Sequence, residues 1–374
     1  MVCGKALDRG DRLIVHMTKR SILFLTRKWP PAVGGMETYS VKLTQALVRC
    51  TDAPVQVMAL PGRRNGLPPT AIRLLAFGVI SALRLLFRRR PPAILHVGDL
   101  ALWPLGLFAR LRSRRTQVVI SVHGTDVAYP RRKGFGPRAY GYYLRTGSRL
   151  MRRAGVIANS DATREVAAET GWRTKQVVPL ATDFAGPPPT GECDPYVLFA
   201  GRLVERKGCA WFVRNVLPLL PSHIRLKVAG TGWDESEWQV FDDPRVDFLG
   251  SLDGKALVEA YRRACCVVVP NIEPGSGEYE GFGLVATEAA AAGGVVVASR
   301  TGGLVQAVED GITGILVTAG DASRWQTAIY RIASWTPGER QAFLLRSMEF
   351  CRSYYSWDRV ASETLRAYGE RLSY

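Results

Sequence analysis

CCVVVPNIEPGSGEYEGFGLVATEAAAAGGVVVAS, residues 265–299, runs from an unbroken apolar stretch through a loop of glycines and acids into an alanine-rich helix former and back to an apolar stretch. A β-branched run without alternation reads as a strand covered on both faces. Strand, helix and strand in succession signal a parallel sheet with crossover helices. Working outward, YVLFAG (196–201), IRLKVAG (224–230), VDFLG (246–250) and GILVT (314–318) extend this sheet. SILFLT (21–26), VQVMAL (55–60), AILHV (93–97), QVVISV (117–122), VIAN (156–159) and VVP (177–179) form an equivalent series upstream. Between the series, AGPPPTGECDP (185–195) carries three consecutive prolines and reads as a semi-rigid connector. The expected fold is α/β: two doubly wound, Rossmann-like domains in tandem, 21–185 and 196–353, joined by a 186–195 linker and facing across a cleft. Ligands of such sheets gather beyond the carboxyl ends of the strands.

With 374 residues there is enough chain for a large core in each half, and 47% hydrophobic against 22% charged residues is a globular composition. The net charge of +17 is uneven. Residues 1–185 hold 31 basic and 10 acidic side chains, whereas 186–374 hold 19 and 23. An arginine-rich coding bias would load both halves alike, so the basic first half reads as a surface for an anionic membrane, an anionic acceptor or nucleic acid. Nucleic acid is set aside because no RNP, KH or zinc pattern occurs and aromatics do not interleave with the arginines. Seven scattered cysteines without CxxC argue against a disulfide framework and for a reducing compartment. Four histidines and no HExxH leave metal hydrolysis without a ligand set.

The first twenty residues are charged throughout, lack an apolar run of signal-peptide length and read as a flexible leader. LLAFGVISAL (74–83) is too short to span a bilayer, which needs about 20 residues. Arg73, Arg84 and Arg88 recur at helical spacing, so the segment reads as an amphipathic helix with a basic end, Arg88-Arg89-Arg90. That end suits either the helix macrodipole or an anionic membrane. Arg131 and Arg132, with Asp126, are further candidate acceptor or membrane contacts.

Four loops beyond strands carry candidate chemistry. In KWPPAVGGMETYSVKLTQAL (28–47), Gly34 and Gly35 allow a tight turn into a helix whose N-terminus suits phosphate. In SVHGTDV (121–127), His123 stands where a strand ends, with Asp126 nearby. GRLVERKG (201–208) sets Arg202 and Lys207 five apart, where both could meet one diphosphate; Arg206 could substitute or face water. In EGFGLVATE (280–288), Glu280 and Glu288 are eight apart, which on one helix face separates them by roughly 10 Å or more. At that separation they are no acid/base pair on one bond, but they can hold two ends of an elongated ligand.

Together, the Gly34-Gly35 loop, HGTD (123–126), NS (159–160), GRLVERKG and EGFGLVATE, in this order, resemble the retaining GT-B nucleotide-sugar glycosyltransferases of family 4, such as the phosphatidylinositol mannosyltransferase-like group. The tail SYYSWDRVASETLRAYGERL (353–372) looks like the final helices that in this family return to the N-terminal domain, here from about 354. The resemblance implies that Glu280 touches the donor sugar and Glu288 the ribose. It assigns Arg202 and Lys207 to the diphosphate, His123 to the transferred sugar, Gly34-Gly35 to the phosphates, and Gly281, Phe282, Gly283 and Leu284 to the donor. Leu249, in VDFLGSLDG, would lie near the base. No metal or other cofactor is implied. The implied activity is retaining hexosyl transfer, of mannose or glucose, to a lipid-linked or envelope polysaccharide acceptor. A small soluble acceptor, an inositol phosphate or a natural-product aglycone, is the alternative. The implied location is the cytoplasm, peripheral on the inner face of the membrane. Val305-Gln306 and Leu180-Ala181 depart from the family's common Pro-Glu and Asn-Gly and bear on donor specificity.

Overall fold

The computed structural model describes residues 20–369 except 65, 184, 233, 234, 239–241 and 276. The expected leader, apart from Arg20, lies outside the described residues. The chain divides into two compact units, one from Met1–Val178 with Trp357–Tyr374 and the other from Pro179–Ser356.

In the first unit six parallel strands form: β1 (Ile22–Trp29), β2 (Val55–Pro61), β3 (Ile94–Val97), β4 (Gln117–Val122), β5 (Gly155–Ala158) and β6 (Gln176–Val177), in the order β2-β1-β3-β4-β5-β6. Ile22 pairs in register with Val55 on one side and Ile94 on the other. Ile22 through Thr26 are all buried, because helices cover both faces of a central parallel strand. The crossovers include helix α1 (Gly35–Cys50), α2 (Ala71–Leu86), α3 (Trp103–Arg112), α4 (Phe135–Leu150) and α5 (Asp161–Glu169). Helix α5 starts where the Ser160 side chain accepts the amide of Thr163. The C-terminal helix Trp357–Gly369 belongs to this unit and lies on α1, where Arg49 Nη2 meets Asp358 Oδ1 at 2.7 Å. Its Tyr368 reaches the sheet, with the hydroxyl 2.5 Å from His96 Nδ1.

The second unit repeats the design with β7 (Asp194–Ala200), β8 (Arg225–Ala229), β9 (Val246–Gly250), β10 (Ala264–Val269), β11 (Val296–Ser299) and β12 (Gly314–Val317), ordered β12-β11-β10-β7-β8-β9 and parallel. Val197, Phe199, Val268 and Val297 meet Phe212, Trp325 and Phe343 in its core. Helix Pro337–Tyr354 begins with a capping box between Thr336 and Glu339 and places Arg340 fully inside. There Nη1 donates to Cys265 O at 2.7 Å and Nη2 to Ala264 O at 2.6 Å, fixing the start of β10.

All twelve expected strands are present within a few residues of their assigned positions. The connector is different from expectation, because 185–195 is bound into the second unit rather than lying between two bodies. Gly186 N donates to Ala291 O at 3.3 Å, and Gln341 Nε2 donates to Pro189 O at 3.0 Å. The prolines hold the chain extended, which leaves its carbonyls open to such partners.

Strand order reverses between β1 and β3 in the first unit and between β7 and β10 in the second. At such a point the two adjacent loops leave in opposite directions and open a crevice at the carboxyl edge.

Candidate active site

At the switch point of the second unit, β7 ends at Ala200 and the chain passes exposed Arg202 before a turn over Glu205–Lys207. Gly208 ends the turn at φ 69°, and a Cβ there would stand 2.0 Å from Pro270 O, so only glycine closes this loop against the one after β10. Ile272 N donates to Arg206 O at 3.2 Å and ties the two loops together.

The tie brings four side chains to one point. Glu280 Oε2 accepts from Arg206 Nη1 at 2.8 Å and from Asn271 Nδ2 at 3.0 Å, and it contacts Lys207 Nζ. Arg206 Nε also lies 3.7 Å from Glu278 Oε2. Burial alone would push the Glu280 carboxyl up, but Lys207 and Arg206, with the Asn271 hydrogen bond, hold it at about 2. Burial lowers the Lys207 ammonium, and Glu280 opposes that shift. The cluster therefore carries a fixed carboxylate between two cations.

Arg206, open in the sequence either to substitute for its neighbours or to face water, is buried on Glu280. Lys207 also rests on Glu280, while Arg202 stays at the surface. Glu280 and Glu288 do not share a helix face. Helix α8 (Leu284–Ala292, after α6 at Cys209–Asn215 and α7 at Gly254–Arg263) starts only beyond Gly283. Gly283 adopts φ 98°, where a Cβ would meet Leu304 Cδ2 at 2.4 Å. Glu280 therefore precedes the helix, and its carbonyl accepts from Gly303 N at 2.7 Å. The Phe282 side chain turns into the core, its ring 6.4 Å from that of Tyr355. Gly281 is buried and Leu284 half-buried, and Leu249 is exposed on the edge strand β9. Glu288, half-buried on α8, is raised to about 7 by burial, against the pull of Lys207.

In the first unit, the crevice between β1 and β3 gathers a different set. His123 is buried and caps the short helix Gly124–Ala128. Its Nε2 lies 3.1 Å from Gly98 O, which makes that nitrogen the protonated one, and its ring stands edge-on to Tyr39 at 4.6 Å. Burial lowers its pKa to about 4, so the imidazole is neutral. Asp126 was expected at an acceptor but points inward, accepting from His123 N at 2.8 Å and Leu100 N at 3.2 Å. Burial, reinforced by Asp99, raises it to about 7. Gly34 precedes α1 and Gly35 opens it; a Cβ on Gly34 would meet Glu37 Oε2 at 2.6 Å, and Glu37 lies 3.6 Å from Lys28 Nζ. Arg27 Nε donates to both Asp99 oxygens at 3.1 and 3.2 Å.

The other expected acceptor cations are dispersed. Arg131 pairs with Glu169, its Nε 3.1 Å from Oε2, and Arg132 lies over the Tyr129 ring at 5.6 Å. Arg88, Arg89 and Arg90 follow the end of α2 rather than forming its last turn. Asn271 was missed by the sequence reading; its signal is a polar side chain immediately beyond an apolar strand, the position from which loop residues meet ligands. No group of three or more His, Cys, Asp or Glu side chains able to hold a metal forms among the described residues.

Residues 33–183 match the family described as Glycosyltransferase Family 4, and residues 194–334 match Glycosyl transferases group 1. An uncharacterised glycosyltransferase of Methanocaldococcus jannaschii is 33% identical over 179 residues, 46% of this chain and 44% of that protein. A D-inositol 3-phosphate glycosyltransferase of Actinosynnema mirum is 43% identical over 125 residues, 33% of this chain and 28% of that protein. The matched stretches thus span less than half of these relatives. Among solved structures, sucrose-phosphate synthase of Thermosynechococcus elongatus superposes with a TM-score of 0.71 at 21% identity, covering 93% of this chain and 98% of that one. Anabaena HepE, solved in complex with UDP and glucose, gives 0.66 at 18% identity with the same coverage. With a glycosyltransferase model matching 33–183 and another 194–334, and with solved structures superposing on 93% of the chain, the chain belongs to the family 4 glycosyltransferases of GT-B fold.

Proposed function

We propose that the chain is a retaining glycosyltransferase that moves a hexosyl unit, mannosyl or glucosyl, from a nucleotide diphosphate sugar to a lipid-linked or cell-envelope polysaccharide acceptor without a bound metal. The observation that carries this reading is the Glu280–Arg206–Lys207–Asn271 cluster at the strand-order reversal, beside Arg202 and the N-terminus of α8. A carboxylate fixed in its ionised form accepts hydrogen bonds from sugar hydroxyls, and charge-assisted bonds of this kind are the strong ones. Arg202, Lys207 and the amides opening α8 supply the positive field for a diphosphate leaving group, in the place a divalent ion takes elsewhere. Glu288 accepts from the ribose.

In the proposed step the bond from the anomeric carbon to the leaving phosphate oxygen breaks and a bond to the acceptor oxygen forms on the same face. The acceptor proton passes to the departing phosphate, so no separate nucleophile is required. His123, neutral and protonated on Nε2, is assigned to the transferred sugar. Such an enzyme would work in the cytoplasm, at the inner face of the membrane. No helix among the described residues is long and apolar enough to cross a membrane.

The inositol-phosphate glycosyltransferases among the relatives favour a second reading, a small phosphorylated acceptor. The test is thermal stabilisation and hydrolytic release with a panel of UDP-, GDP- and ADP-sugars in EDTA, followed by transfer to inositol phosphate or to lipid extract. Stabilisation by one nucleotide class in EDTA supports the donor site, whereas silence across the panel overturns it. Transfer to inositol phosphate without lipid selects the second reading.

A further inference from the structure

Apart from Arg73, Ser81 and Arg84, helix α2 is made of apolar residues and glycine, yet it buries only Ser81, Ala82 and Leu85. Ile72 and Leu75 are 79% and 72% exposed, and Val79, Ile80 and Leu83 are exposed beside them. At 100° per residue these five fall within an arc of about 140°. Phe87, 79% exposed, continues the ridge just past the helix end. Arg73 and Arg84 line one edge of the arc, and Arg88, Arg89 and Arg90 close its C-terminal end. Residues 53–98 hold seven arginines and no aspartate or glutamate. The basic turn is fixed in place, since Arg88 bonds Gln56 on β2 and its own Nε donates to Arg90 O at 3.1 Å, while Arg112 Nε donates to Arg88 O at 3.1 Å. Between β2 and α2 a groove of about 470 Å³ is floored by Val57, Met58 and Phe77 and rimmed by Arg73, Arg84 and Arg88.

We propose that α2, the Arg88–Arg90 turn and the edge strand β2 form a surface that lies flat on an anionic lipid bilayer. The ridge from Ile72 to Phe87 enters the acyl boundary, and the arginines stand at the level of the lipid phosphates. A symmetric contact with a second copy would set the five arginines of this surface against five, with no acid in the segment to offset them. An anionic bilayer satisfies the apolar ridge and the arginines together. At sixteen residues α2 is too short to span the bilayer, so the helix rests in the interface. This deepens the proposed function by naming the surface on which a lipid-linked acceptor is met, but the docking itself does not depend on sugar transfer.

The test is flotation of the full chain with phosphatidylglycerol–phosphatidylcholine vesicles and with pure phosphatidylcholine vesicles. The wild type is expected to float with the anionic vesicles alone. Leu75→Ser/Val79→Ser/Leu83→Ser should lower partition more than about tenfold, and Arg84→Gln/Arg89→Gln/Arg90→Gln about tenfold with loss of its salt dependence. The serine variant changes exposed side chains only, so it should keep the wild-type melting curve and donor-sugar hydrolysis. That comparison separates failure of docking from failure of the transferase reading. No flotation of the wild type, undiminished flotation of the serine variant, or a wild-type dimer that the serine substitutions convert to monomer would each overturn the proposal.

Discussion

Glu280, half-buried, and Asp126, buried, are carboxylates beyond the carboxyl ends of parallel strands, and their environments shift them in opposite directions. Burial pushes each up. For Glu280 the pull of Lys207 and Arg206 exceeds that penalty and leaves the group at about 2. For Asp126 the neighbouring Asp99 adds to the penalty, two backbone amides and Arg27 offset only part of it, and the group rises to about 7. Repeating a fold does not repeat its electrostatics, because loop sequence decides which charges a carboxylate meets. In the second unit a carboxylate is held between two cations, Arg206 and Lys207, and there the proposed donor site lies.

The sharpest way to break this contrast is to remove a cation. Arg206→Leu should cost about 3 kcal/mol of stability in urea unfolding, since it removes the buried partner of a half-buried carboxylate. A loss under about 0.5 kcal/mol, the level of an ordinary surface change, would mean that Lys207 and Asn271 suffice. Glu280→Gln should next lower turnover by about a hundredfold while leaving nucleotide affinity near wild type, as the loss of a charged hydrogen bond to the sugar implies. Full activity in that variant would remove Glu280 from the donor sugar. Glu288→Ala should weaken nucleotide binding about tenfold in calorimetry, the scale of one hydrogen bond.

The other carboxylate is tested through pH. Burial raises Asp126 from the ordinary aspartate value of 3.8 to about 7, so between those values the native chain binds the extra proton and stability falls as pH rises. Asp126→Asn should flatten the stability profile across pH 4 to 7 by at most about 1.4 kcal/mol per pH unit. His123 works in the opposite sense over an overlapping range. Its lowered pKa of about 4 makes stability drop as pH falls below the usual histidine value. A profile unchanged in Asp126→Asn would mean that Asp126 is ionised as Glu280 is, and would erase the contrast.

Much of the architecture was legible because covered parallel strands need consecutive apolar residues, and runs such as SILFLT and CCVVVP satisfy that condition wherever they occur. The loops of interest were legible too, since glycines beside charges at strand ends mark them. Side-chain direction within those loops was not. Helical spacing assumed that Glu280 already lay on the helix, whereas left-handed Gly283 delays the helix to Leu284. Spacing also could not tell that the turn at Glu205–Lys207 sends Arg206 inward and leaves Arg202 at the surface.

The amino-acid sequence by itself determined the two parallel sheets, their order of elements and the loops where charge and glycine coincide, because these follow from local periodicity and backbone freedom. Only the tertiary structure decided which cations hold Glu280, that Asp126 and Phe282 face inward, and which apolar side chains of α2 are left to solvent. Those choices depend on neighbours brought from distant parts of the chain, and no local pattern encodes them.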